Sequence, residues 1–246
     1  MVAMLATVWL VPRPGASASA SVGGVLDRTT YPRLRDRLLE FAADAEDAVV
    51  IDVGGLELRD PALARVFALA ALRVADWPAV PFALVTDRPE QRARIARAGV
   101  AVYRDFAAAE ASLKRPVRRR AEQVLERTMR TSVRARGFVE GVCAEWQVPG
   151  LAENAALITT EFVENTLRHT DSAPRLRVEL RRDELGIAVA DGSARPAVLR
   201  EELDTLEAGL GLRMVAKVAK SWGSSRVWSG GKVVWAVLST VDYRRR

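Results

Sequence analysis

The chain has 246 residues, 49% hydrophobic and 28% charged, with a net charge of +6. This length suits two domains, and the composition suits a chain able to bury sizeable cores. The single cysteine, Cys143, excludes an intrachain disulfide and a Cys-x-x-Cys metal site, and the single histidine, His169, excludes a histidine-based zinc cage.

The N-terminal "LATVWLV" (5–11) is read as a β-strand. A secretory leader is the alternative, but no basic residue precedes the apolar run, which is also too short to span a bilayer. "SVGGVLD" (21–27) is a glycine-marked turn or short strand. A helix follows over 29–45, with threonines at its start, Pro32 in its first turn, and Leu34, Leu38 and Phe41 at helical spacing. "AVVIDV" (48–53) is a continuous apolar run, the pattern of a strand covered on both faces. Helix 61–77, strand 81–87, helix 89–99, strand 100–103 and helix 106–113 complete a βα alternation, which predicts a mainly parallel or mixed sheet with helices against it.

"KRPVRRR" (114–120) is charge-dense, contains proline and lacks apolar periodicity, so it is the expected boundary. The arginines there and at 244–246 make an acidic partner electrostatically favourable, but no nucleic-acid-binding motif accompanies them. They are read as solvated surface or linker charge. The expected organisation is a domain over 1–113, a basic linker over 114–122 and a second domain over 123–243.

In the second half, 132–148 is an amphipathic helix with Phe138, Val142, Cys143 and Trp146 on one side, broken by Pro149-Gly150. The next helix carries "TTEFVENTLRHT" (159–170). Each four-residue step turns a helix by only about 40°, so Glu161, Asn165 and His169 share one side, beside the apolar stripe. Residues 175–191 read as a hairpin. A proline-containing loop leads to a helix over 209–223, ended by Gly223, and a second hairpin turns at Gly230-Gly231. This order predicts helices over one face of an antiparallel or mixed sheet, an α+β sandwich.

Three features then fall in sequence: Glu161-x-x-x-Asn165 on a helix, Asp191 at a strand end, and Gly209-Leu210-Gly211 opening a helix. Each is weak alone, and together they describe a nucleotide site. Glycines let backbone N–H groups approach phosphates at a helix N-terminus. A carboxylate such as Asp191 accepts from an adenine amino group. Asn165 offers a neutral oxygen to Mg²⁺, and Glu161 is placed to orient or deprotonate a hydroxyl. An internal polar network is the alternative.

On these motifs, residues 123–243 resemble the ATP-binding domain of anti-sigma-factor serine/threonine kinases, of the GHKL superfamily with its Bergerat fold. The matching pieces are "ITTEFVENTLRHT", "IAVADGSARPAV", "GLGLRMVAKVAKSWG" and "GGKVVWAVL". The resemblance implies Glu161 as catalytic base, Asn165 as Mg²⁺ ligand and Asp191 with Gly192 on the adenine side. Gly209 and Gly211 would lie by the lid and phosphates. It implies ATP and Mg²⁺ as cofactors, a sigma factor or a separate antagonist protein as partner, pairing through the ATPase domain, and a cytoplasmic location without membrane or nucleic acid. The expected activity is serine phosphoryl transfer to a separate antagonist protein, favoured by the retained Glu161 and Asn165, whereas two departures favour the alternative, an ATP-gated binding module. Asp191-Gly192-Ser193 stands where relatives carry Asp-x-Gly, and Val233 stands where relatives often carry threonine.

Residues 1–113 resemble a STAS domain, the fold of anti-sigma-factor antagonists, through "GVLD" (24–27), "AVVIDV" and "LELRDPALA" (56–64). Where phosphorylated antagonists carry Asp-Ser-Ser/Thr-Gly, this chain has Asp60-Pro61-Ala62-Leu63. The resemblance therefore implies a STAS-like domain without the phosphorylation switch.

Overall fold

The structure is a computed structural model that describes residues 7–14, 17–114, 117–193 and 210–240. The chain divides into two compact units, Met1–Arg115 and Pro116–Arg246.

The first unit contains β1 (Val8–Arg13), β2 (Ala18–Leu26), α1 (Tyr31–Ala42), β3 (Val49–Leu58), α2 (Arg65–Asp76), β4 (Phe82–Val85), α3 (Pro89–Ala96), β5 (Val102–Tyr103) and α4 (Phe106–Ser112). The sheet order is β1-β2-β3-β4-β5; β1 runs antiparallel to β2, and every later pair is parallel. Parallel neighbours need crossover connections, and α1, α2 and α3 supply them. The double coverage read from "AVVIDV" is met residue by residue. Val49, Ile51 and Val53 pack with Leu34, Leu38 and Phe67, whereas Val50 packs with Val85 and Ala109. The segment 21–27 belongs to a nine-residue strand, with a register shift between Ser21 and Gly23 in place of a turn.

The second unit contains β6 (Arg118–Val124), α5 (Thr131–Glu145), α6 (Ala152–His169), β7 (Arg175–Arg181), β8 (Glu184–Asp191), α7 (Leu210–Val218), β9 (Ser221–Arg226) and β10 (Lys232–Ser239). Its sheet is antiparallel throughout, in the order β6-β7-β8-β10-β9. Leu176, Val178, Ile187, Val189, Val234 and Ala236 form one core with Val139, Cys143, Ile158 and Phe162 of α5 and α6. This is a mixed α/β N-terminal unit followed by an antiparallel sheet with helices.

Three expectations need correction. Most of the segment read as linker is β6, paired with β7 from Arg118↔Arg181 to Val124↔Arg175. Arg118 and Arg120 are not solvated charge, although Arg119 between them is exposed. Arg118 lies 3.1 Å and Arg120 3.6 Å from the carboxylate of Glu179, which is 1% exposed, and Arg177 lies 3.4 Å away. One buried carboxylate therefore draws in arginines from two strands, because an unpaired charge there would be costly. Finally, the helix expected to run to Gly223 ends at Val218, and Ser221–Arg226 pairs along β10. The ladder opens with Lys220 N–H donating to Val237 O at 2.8 Å, and Gly223 lies opposite Trp235, whose indole crosses the glycine where a Cβ would stand.

Candidate functional site

The site is organised by α6. A 3-10 turn at Pro149–Leu151 precedes the helix, and Glu153 in its first turn with Arg168 and His169 in its last suit the helix dipole. Its buried stripe is Ala155, Ala156, Ile158, Thr159, Phe162, Val163 and Thr166. Glu161 and Asn165 are half-buried at the border of that stripe, and His169 is exposed. The polar row therefore edges the core without entering it. Beyond the helix, Arg127 donates to the carbonyls of Leu167 at 3.0 Å and Ser172 at 3.2 Å, which ties down its C-terminal turn.

Glu161 reaches across to α7. Its carboxylate lies against Gly211, where any side-chain Cβ would collide with it. Burial, followed by the nearby charge of Glu164, pushes its carboxyl above the ordinary range, with Arg168 opposing. A group of this kind suits proton transfer. Gly209 and the loop 194–208 lie outside the described residues.

Asp191 ends β8 and is tied on every side. Its Oδ1 accepts from the N–H of Ser193 at 2.8 Å and from Lys232 Nζ at 3.0 Å. Its Oδ2 lies 2.9 Å from Lys232 Nζ and 3.4 Å from the Thr166 hydroxyl. Gly192 N–H donates to the Ser172 hydroxyl at 2.9 Å, which in turn lies 2.8 Å from that of Thr170. The ends of α6 and β8 are thus joined through a hydroxyl pair. Val233 is buried in β10 opposite Ala190.

The residues divide in their fit to ATP and Mg²⁺. Glu161, Asn165 and Gly211 offer a carboxylate, an amide oxygen and a side-chain-free helix start, which suits the phosphate and metal side. Among the described residues no three His, Cys, Asp or Glu side chains converge as a metal cage, so Asn165 would share a cation with phosphate oxygens. The adenine side does not fit as it stands, since Asp191's acceptors already hold protein donors. Sequence reasoning missed Lys232 and Thr166. The Gly230-Gly231 turn sets Lys232 opposite Arg226 of β9, and it is the pairing of β10 with β8, distant in sequence, that sets it opposite Asp191.

In the N-terminal unit, Asp60 Oδ1 accepts from the N–H of Ala62 at 2.8 Å and starts a short 3-10 turn, Pro61–Ala64, before α2. The carboxylate caps the turn, and no hydroxyl stands at Pro61 or Ala62. Nearby, the buried Gln91 accepts from Thr86 Oγ1 at 2.7 Å and donates to the carbonyls of Val53 at 2.9 Å and Leu56 at 2.8 Å, fastening α3 to β3. Among the described residues no helix is long and apolar enough to cross a membrane.

The family described as "Mlab, STAS domain" matches residues 9–106. Among solved structures, an anti-sigma factor antagonist from Mycobacterium paratuberculosis is similar at 21% identity and a TM-score of 0.37, over 44% of this chain and 94% of that one. No curated protein matches the chain. The N-terminal unit thus carries a STAS domain, over residues 9–106.

Proposed function

We propose that this chain is a cytoplasmic partner-switching regulator, in which a STAS domain without a phosphoacceptor is joined to an ATP–Mg²⁺-binding unit of the anti-sigma-factor kinase type. The observation that supports the reading is the convergence on α6: the Glu161 carboxylate against Gly211 of α7, with Thr166 beside Asp191 on β8. In this reading Asn165 holds Mg²⁺ through its amide oxygen and the start of α7 faces the phosphates. ATP supplies the phosphoryl group when bound. Glu161 orients the serine hydroxyl of a separate STAS antagonist and takes its proton, a role suited to a carboxyl whose proton affinity is raised by burial. Sequestration of a sigma factor would use the same unit as a binding surface.

A second reading, an ATP-gated binding module that transfers nothing, is favoured by one observation, the ion pair between Asp191 and Lys232. Incubation of the full chain with labelled ATP, Mg²⁺ and STAS-domain antagonist proteins separates the two. Transfer by the wild type that is lost in Glu161→Ala, with nucleotide binding retained, supports the kinase. Nucleotide-dependent partner binding without label transfer supports the module. Equal transfer by both proteins removes the role given to Glu161.

A further inference from the structure

The carboxylate that the nucleotide reading assigns to adenine is already engaged on both oxygens by Lys232. A carboxylate presents about four lone-pair directions. Here Ser193 N–H donates to Oδ1 at 2.8 Å and Lys232 Nζ reaches both oxygens, at 3.0 and 2.9 Å, while the Thr166 hydroxyl, 3.4 Å from Oδ2, has the Phe162 carbonyl as a closer acceptor at 3.1 Å. The ion pair is also dry: the side chains of Lys232 and Asp191 are 8% and 2% exposed. Its geometry is set by the backbone, because the two residues are directly opposed in the β8–β10 ladder. The preceding turn holds Gly230 and Gly231 at φ +99° and +85°, and the Asp191 carbonyl stands where a Cβ on Gly231 would be.

We propose that Lys232 is an intramolecular stand-in for the amino group of a purine, so that base recognition at Asp191 is possible only when Lys232 leaves it. This rests on the nucleotide reading above and deepens it. The ammonium and an exocyclic amino group present the same chemistry, an N–H donor, to the same acceptor. The ammonium brings a full charge as well, so it outcompetes the neutral amine in a site closed to water. The result is a site whose affinity for adenine nucleotides is held down by its own chain. Lys232 is therefore a specificity-determining residue, acting by occupying the acceptor.

The test uses the full chain and calorimetric titration with ADP–Mg²⁺, with IDP–Mg²⁺ as comparison because its base carries a carbonyl where adenine carries the amino group. Lys232→Met keeps the length of the side chain and removes the competing donor. It should bind ADP tighter than wild type by on the order of tenfold or more, the size of one charge-assisted hydrogen bond, with a smaller gain for IDP. Removing the lysine leaves Asp191 buried and unpaired, so the neutral double variant Lys232→Met/Asp191→Asn guards against loss of folding. Its carboxamide oxygen remains an acceptor, and it too should exceed wild type for ADP. If wild type binds ADP and neither variant binds it more tightly, the stand-in role is overturned and the nucleotide site survives. If no form binds ADP, the nucleotide site falls as well.

Discussion

Gly211 and Gly231 both sit where a Cβ would collide with a neighbour, yet replacing them by alanine should have opposite consequences. At Gly211 the obstacle is the free end of the Glu161 side chain; at Gly231 it is the backbone carbonyl of Asp191, at φ +85°. In Gly211→Ala the carboxylate can swing aside for about 0.5–1.5 kcal/mol of rotamer cost. Alanine returns up to about 1 kcal/mol of helix propensity in the first turn of α7. The stability change should therefore stay within about 1 kcal/mol of zero. Gly231→Ala cannot relax this way. The left-handed conformation costs an alanine roughly 1–2 kcal/mol, and relieving the carbonyl requires the β8–β10 ladder to shift, so a loss of at least about 2 kcal/mol is expected. Urea denaturation of the full chain, followed by hydrogen exchange in β8 and β10, reads both. The functional effects should run the other way: Gly211→Ala keeps the fold but moves Glu161, so phosphoryl transfer to an antagonist should drop while partner binding persists. Equal destabilisation by the two substitutions would refute the assignment of a mobile carboxylate at one site and a fixed carbonyl at the other.

Gln91→Leu should destabilise the N-terminal unit by about 2–4 kcal/mol in urea melts, because it strands the carbonyls of Val53 and Leu56 and the Thr86 hydroxyl in a buried site. Burial, with Glu140 adding to it, pushes the Cys143 thiol up to about 11, so a disulfide reagent near neutral pH should label it only when denaturant opens the core. Glu161 has its carboxyl raised by burial and then by Glu164, so the folded chain holds that proton more tightly than the unfolded chain does. Its contribution to stability is then fully present below the ordinary carboxylate range and lost as pH rises through the folded value. Glu161→Gln should flatten that segment of a Tm-against-pH curve, and an unchanged slope would contradict the raised proton affinity.

Local pattern carried much of the architecture. The apolar run 48–53 announced a strand covered on both faces, the four-residue spacing placed Glu161 and Asn165 together at the rim of α6, and Gly230-Gly231 marked the last hairpin. These are properties of backbone periodicity and turn chemistry, which a chain expresses through neighbours close in sequence. What local pattern could not decide was partnership. "AKSWG" has no strong helix breaker before its glycine, yet β10 offers an open edge whose hydrogen bonds outcompete a further helical turn, and β9 forms there. The three consecutive arginines of β6 read like any exposed run until β7 sets Glu179 beside Arg118 and Arg120, which turns two of them into ion pairs with a buried carboxylate. Asp191 looked like an acceptor awaiting a ligand, and only the register of β8 against β10 delivered Lys232 to it. Period-two alternation says which residues share a face of a strand. Which residue stands opposite which depends on pairing across 41 positions of chain, and the tertiary fold alone decides that.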